Sequence, residues 1–303
     1  MLTEYRYILQ MKKLTFLFLL FFKLTFSYSQ NQTDYEFIGT LQLPNNEIIS
    51  YKLSFKENKG GVIEGYSLTD IYGSNRTKSA IIGNINIANQ KVSFKETANI
   101  STKSSSNESE FCYLHVSNAK IKTLRGKTII QGSFNGKYDN GKACVNGYIY
   151  LVSTQYLEKL ENEYLSADKI KNTDTLSILK QKIGTLKDRA DKNTLKRNEV
   201  LNVNWNSNEV ILEIWDGEQE DLDEVQVYIN DQKIIDQLVL KRQKKILILP
   251  LTEKVNSVKI IGISEGLTAS CTANIILRDG NTVTQIVSIL KKGESNIIKI
   301  NKQ

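Results

Sequence analysis

Residues 48–55 read Ile48-Ile49-Ser50-Tyr51-Lys52-Leu53-Ser54-Phe55, and residues 35–43 read Tyr35-Glu36-Phe37-Ile38-Gly39-Thr40-Leu41-Gln42-Leu43. Apolar side chains recur at every second position, the period that puts them on one face of a β-strand. Turn signals punctuate the stretch at Asn45-Asn46, Gly60-Gly61, Asn89-Gln90, Asn135-Gly136 and Asn140-Gly141, as consecutive hairpins require. Ile63-Glu64-Gly65 and Ile130-Gln131-Gly132 share an apolar-x-glycine signature, with Ile81-Ile82-Gly83 a close variant. Glycine inside a strand relieves crowding where a sheet bends strongly. Residues 30–153 are therefore expected to form an antiparallel β domain. The pattern suggests hairpins curled into a small barrel, with a two-sheet sandwich as the alternative. The polar run 101–110 is expected to be a loop.

Downstream the period changes. Leu157, Leu160 and Tyr164, then Leu176, Leu179, Ile183, Leu186 and Ala190 recur at spacings of three and four. This is the stripe of an amphipathic helix, broken near Asn172-Thr173-Asp174. Residues 154–198 are expected to be a helical connector packed on a β domain. From Glu199 the strand pattern returns, at 209–216, 225–229, 245–251, 257–264, 272–278, 282–290 and 296–300, with a hairpin signal at Asp279-Gly280. Residues 199–303 are expected to be a β-sandwich of immunoglobulin or carbohydrate-module size. The expected fold class is mainly β.

Upstream, Met11-Lys12-Lys13 precedes the apolar run 14–22, and small residues follow at Ser27 and Ser29. That is the form of a secretory signal peptide, residues 1–29, with cleavage after Ser29 and residues 1–10 as an extended basic region or an upstream start. Lys23 breaks the run well short of the ~20 apolar residues that span a bilayer, so no stable membrane span is expected after cleavage. The expected location is secreted or periplasmic, in the cell envelope. Export to an oxidising space changes how cysteines read. Cys112 and Cys144 lie in one expected domain, and a disulfide between them would close a loop of 33 residues. Cys271 is then a buried free thiol, with pairing to Cys112 or Cys144 as the alternatives.

The chain of 303 residues is 40% hydrophobic and 24% charged, the balance of an ordinary globular protein of about two domains. Collagen and multispanning membrane proteins are excluded. The leader carries Arg6, Lys12, Lys13 and Lys23 against Glu4, so the formal +7 falls to +4 without it. Basic clusters such as Lys241-Arg242-Gln243-Lys244-Lys245 carry no interleaved aromatics. They read as solvated faces or edge-strand protection, and no nucleic-acid partner is expected.

Most catalytic chemistries lack their parts. Gly262-Ile263-Ser264-Glu265-Gly266 matches the Gly-x-Ser-x-Gly of serine hydrolases. That motif needs a strand, a sharp turn, a helix and a later histidine. The single histidine, His115, lies far upstream, so a loop between strands is the better reading. Cys112 and His115 make half of a zinc site without a second pair, and His115 reads as structural. The acidic run is the strongest signal. Asp216, Glu218, Glu220, Asp221, Asp223 and Glu224 lie within nine residues between two expected strands. A hard cation such as Ca²⁺ would relieve their mutual repulsion, and Asp216, Asp221 and Asp223 are the candidate ligands. The loop is not an EF-hand: Asp221 stands where a glycine is required and Val227 where a bidentate glutamate is required. Trp215 alternates away from Val210, Leu212 and Ile214, which leaves a sugar-binding aromatic platform or a packed tryptophan as readings.

Residues 211–230, Ile-Leu-Glu-Ile-Trp-Asp-Gly-Glu-Gln-Glu-Asp-Leu-Asp-Glu-Val-Gln-Val-Tyr-Ile-Asn, resemble a β-module of uncharacterised secreted two-domain β proteins of Bacteroidetes-type bacteria. Its usual form is a strand followed by D-x-G-x-x-D-x-D-x-V-x-V-Y-x-N, whose acids fall on Asp216, Asp221 and Asp223. A second half, with Cys271 in place of an asparagine and without the usual prolines, falls on residues 265–273. The resemblance implies an envelope or secreted location in a Gram-negative cell and no assigned activity. The expected function is non-catalytic binding of an unknown protein, glycan or small-molecule ligand. The alternatives are a calcium-dependent carbohydrate-binding accessory module and a carboxylate-based hydrolase.

Overall fold

The computed structural model describes residues 33–166, 192–217, 220–267, 270–280 and 282–303. The expected signal peptide, the apolar stripe from Leu176 to Ala190 and Glu218 lie outside the described residues.

Eight strands make up the first half: β1 (Thr33–Gln42), β2 (Ile48–Glu57), β3 (Val62–Thr69), β4 (Thr77–Asn86), β5 (Lys91–Thr102), β6 (Tyr113–Leu124), β7 (Lys127–Lys137) and β8 (Ala143–Ser153). Each lies beside the next, and β8 returns to β1 from Phe37↔Ser153 to Gln42↔Tyr148. The result is an eight-stranded antiparallel barrel, which decides between the two expected arrangements. Closure leaves no strand of the meander with an unpaired edge.

Inward positions fill the barrel with side chains, among them Phe37, Tyr51, Leu53, Phe55, Ile130, Phe134 and Leu151. That filling is what eight strands allow. The strand glycines have the expected use at two close approaches. A Cβ at Gly65 would stand 2.1 Å from the Ser54 carbonyl oxygen, and one at Gly83 2.1 Å from that of Ser93. One buried acid interrupts the apolar interior. Glu96 accepts hydrogen bonds from Tyr51 Oη (3.0 Å), Ser67 Oγ (2.6 Å) and the Leu114 amide (2.8 Å). Burial raises its carboxyl pKa, and the three hydrogen bonds oppose that rise without cancelling it.

Cys112 and Cys144 form the expected disulfide, with Cα atoms 6.0 Å apart. Asn135-Gly136 is not a turn: both residues lie inside β7. The glycine has a different reason. A Cβ at Gly136 would come 2.4 Å from Cys112 Sγ and 2.9 Å from Cys144 Sγ, so the bridge passes over this bare position. The turn between β6 and β7 is instead Arg125-Gly126, with φ of 53° and 79°. The stretch 101–110 is only partly a loop, because Ser101 and Thr102 are buried at the end of β5 and Glu108–Glu110 is a single 3₁₀ turn.

Helix α1 (Thr154–Ser166) follows β8 directly. Strand β9 (Asn193–Leu195) then falls inside the segment expected to be helical. The rest are β10 (Val200–Trp205), β11 (Glu209–Trp215), β12 (Asp223–Ile229), β13 (Gln232–Val239), β14 (Lys245–Pro250), β15 (Val255–Glu265), β16 (Cys271–Asp279), β17 (Thr282–Leu290) and β18 (Ser295–Lys302). The order β13-β12-β15-β18-β10 continues the barrel sheet through the β10–β5 pairing, while β14-β11-β16-β17-β9 is a separate sheet. Side chains from both, including Trp205, Leu212, Val227, Ile260, Leu277 and Ile298, form one apolar cluster distinct from the barrel core.

Two outcomes follow from these contacts. Replacing both bridging cysteines by serine lowers stability by about 3–4 kcal/mol in the loop-entropy account, measured by urea unfolding against the oxidised parent. Because the Glu96 carboxyl pKa is raised on folding, the folded parent binds that proton more readily than the unfolded chain. Its stability therefore declines as pH rises from the ordinary carboxyl value of 4.5 through the raised folded value. Glu96→Gln lacks that decline, so the stability difference between parent and variant shifts in favour of the variant from mildly acidic to neutral pH.

Candidate metal centre

The acidic run connects β11, in the separate sheet, to β12, in the sheet continuous with the barrel. Backbone hydrogen bonds peg it on both sides. The Asp216 amide donates to the Lys241 carbonyl (2.9 Å), the Leu240 amide to the Asp223 carbonyl (2.8 Å), and the Leu267 amide to the Asp221 carbonyl (3.0 Å). Leu222 takes a positive φ of 73° and is 65% exposed, while Asp221 and Asp223 on either side are 5% and 2% exposed. Asp216 joins them at 2%.

One carboxylate oxygen from each of the three aspartates lies within 4.8 Å of the others. Asp221 Oδ1 is buried and receives no hydrogen bond, and the same is true of the atoms Asp216 Oδ2 and Asp223 Oδ1. The second oxygen of Asp223 accepts from the Thr272 amide at 2.7 Å. The two other described acids of the run turn elsewhere. Glu220 accepts from the Arg242 amide (2.6 Å) and Glu224 from the Gln237 side chain (3.0 Å), both at exposed positions. The sequence proposed these three aspartates from a run of six acids, and among the described residues they are the three that the fold gathers.

Coulomb's law sets the scale. Two ionised carboxylates about 4.8 Å apart repel by roughly 3 kcal/mol at an effective dielectric constant of ~20. Three such pairs approach the whole stability of a typical protein, about 5–15 kcal/mol. A cation among the oxygens offsets that cost directly. The donor set is all oxygen, the choice of hard cations such as Ca²⁺ rather than zinc. The neighbouring sulfur does not change this. Cys271 is a buried free thiol, as expected, and it is directed at the Glu224 carbonyl oxygen (3.6 Å). Burial, followed by the charges of Asp223, Asp221 and Asp216, pushes its pKa up to about 12, so it remains a protonated thiol.

Gly266 is a part of this site that the sequence did not assign. Residues 262–265 of the Gly-x-Ser-x-Gly match belong to β15, not to a loop, and Ser264 Oγ accepts from the Gly266 amide. Gly266 has φ +57°, and a Cβ there would stand 2.2 Å from the Asp221 carbonyl oxygen and 2.9 Å from Asp221 Oδ1. Thr272 was likewise not assigned, since its contribution is a backbone amide that no side-chain pattern signals.

The remaining candidates lie outside this cluster. Trp205 is buried, and its Nε1 donates to the Glu209 carbonyl (2.9 Å). Trp215 is partly covered by Lys244, whose Nζ lies 4.5 Å from the ring centroid. Lys244 also pairs with Glu213 (2.7 Å), which Arg278 grips from the other side (2.5 Å). These two hydrogen bonds hold the Glu213 carboxyl below its ordinary pKa. His115 lies on β6, where partial burial and then Lys137 and Lys95 lower its pKa. Comparison with known proteins finds no matching family model, curated protein or solved structure.

Gly266→Ala is expected to cost about 1–3 kcal/mol through the left-handed backbone alone, with a further loss from displacement of Asp221, read out by urea unfolding and by metal titration of the variant.

Proposed function

We propose that the protein is an exported, non-catalytic binding protein whose second half is organised by a bound Ca²⁺ held by Asp216, Asp221 and Asp223. The observation that carries this reading is the burial of three carboxylates within 4.8 Å of one another, with Asp221 Oδ1 receiving no hydrogen bond. Ca²⁺ takes six to eight oxygen ligands, so backbone oxygens or water complete its shell. The cation would act as a clasp, since Asp216 follows β11 of one sheet and Asp223 opens β12 of the other. In this reading the two sheets of residues 199–303 are the layers of a β-sandwich, joined to the barrel by a connector that begins with α1.

Carboxylate hydrolysis is the less favoured reading. Glycosidase pairs stand about 5–9.5 Å apart across a substrate cleft, whereas these oxygens are closer and buried. Export is supported by the leader pattern and by the Cys112–Cys144 bridge, which persists in oxidising compartments. No helix among the described residues is long and apolar enough to cross a membrane.

Thermal melting of the chelator-treated protein tests the metal. Added Ca²⁺ should raise the melting temperature, by an increment worth about 2.7 kcal/mol at one hundred times the dissociation constant, and Mg²⁺ should do so less. Asp221→Asn removes one of the three charges. The variant should match or exceed the parent in chelator and lose the calcium response. A parent that melts identically with and without Ca²⁺ overturns the proposal.

A further inference from the structure

A second site lies at the seam between the barrel and the sheet that continues it. Strand β10 pairs with β5 only through Asn202↔Thr102 and Val203↔Ser101. The barrel wall curls away from that short contact, and a groove of about 740 Å³ opens beside it, within the range of ligand-binding clefts.

Most of the side chains lining the groove are polar. One wall is a ladder on the outward faces of β10 and β18, where Asn202 stands opposite Lys299 and Asn204 opposite Asn301. The amide nitrogens of Asn202 and Asn204 donate to the Ser104 and Asn99 carbonyls (3.3 and 2.9 Å). Each nitrogen keeps a second N–H, and the side-chain oxygens are acceptors, so the wall offers both donors and acceptors. Asn99, buried to 6% exposure, lines the same groove, and its Oδ1 receives no hydrogen bond. The opposite wall brings the hydroxyls of Ser104, Ser105 and Ser106 and one aromatic ring, Phe111.

Charge adds a sign. Lys103, Lys254, Lys299 and Lys302 line the groove and no aspartate or glutamate side chain does. Lys103 is paired with Glu199 (2.9 Å) and Lys302 donates to the Leu251 carbonyl (3.2 Å). Lys254 and Lys299 are exposed and form no ion pair among the described residues.

We propose that this groove binds a short acidic oligosaccharide, its hydroxyls hydrogen-bonded by the asparagine ladder and the serine loop and its carboxylates met by Lys254 and Lys299. Rows of amides and hydroxyls suit a ligand that is itself donor and acceptor at every ring. Ammonium groups recognise anions as point charges without demanding one geometry, which suits repeated carboxylates along a sugar chain. A single-stranded nucleic acid would also meet the lysines, but it stacks its bases on successive aromatic rings, and Phe111 is the only aromatic lining the groove. The inference rests on the reading of the chain as a binding protein and not on its calcium site.

Calorimetric titration of the full chain with tetragalacturonate, in chelator and at low salt, tests it. Saturable binding is expected, weakened at least tenfold by the combined Lys254→Ala and Lys299→Ala changes and by raised salt. Asn204→Ala should weaken it severalfold. Neutral maltotetraose should bind at least tenfold more weakly than the acidic sugar. Absence of binding, equal binding of the two sugars, binding indifferent to the lysine changes, or tighter binding of a single-stranded oligonucleotide overturns the proposal. The calcium melting shift, measured on the same variants, separates the two sites. Sugar binding without a calcium response removes the metal alone, and a calcium response without sugar binding removes the groove alone.

Discussion

One edge of β5 has to satisfy two partners. Its first part, from Lys91 to Lys95, pairs with β6, and its last two residues, Ser101 and Thr102, pair with β10. Backbone amides and carbonyls that leave one ladder must find another or meet water. The handover therefore closes the barrel and extends its sheet with the same strand. The register slips between β4 and β5 at Lys78/Ser79 and Ala80/Ile81 accompany that bend, as bulges do where a strand must turn. Both the joined architecture and the open seam follow from this division.

The interiors are organised differently on the two sides of the handover. The barrel interior is apolar apart from the Glu96 network, whose three donors hold one carboxyl where water cannot reach it. The second half buries three carboxylates in one place, with hydrogen-bond donors too few to serve their oxygens. The first arrangement is complete in protein atoms. The second leaves one buried oxygen of each aspartate without a hydrogen bond, and it lies where the chain passes from one sheet to the other.

Local periodicity made most strands legible. Those that alternate cleanly, such as β2 and β11, were readable from two-residue spacing alone. The hidden ones explain the limit of that reading. Strand β13, on a sheet edge, packs Ile235 and Leu238 on the core at a spacing of three rather than two, and its pairing with β12 carries register shifts, so the two-residue period is lost. Strand β9 is three residues long, below the length at which a period can register. Strand β10 does alternate, with Leu201, Val203 and Trp205 buried and the asparagines between them facing the groove, so its period was present in the sequence although the strand was not assigned. Among the site residues, the three aspartates were visible because charge density in a short connection is a sequence property. Gly266 was visible only as part of a misleading motif, since its closeness to Asp221 is created by the β12–β15 pairing.

The disulfide links segments that are next-but-one neighbours in the sheet and passes above Gly136 of the strand between them. In the folded protein the crosslink spans β7, which lies between β6 and β8. A shift of the intervening strand by one residue would put Asn135 or Lys137 under the sulfurs and hold them apart. The covalent bond thus favours the native register of the last three staves over a slipped one, because only the native register sets the bare glycine beneath it.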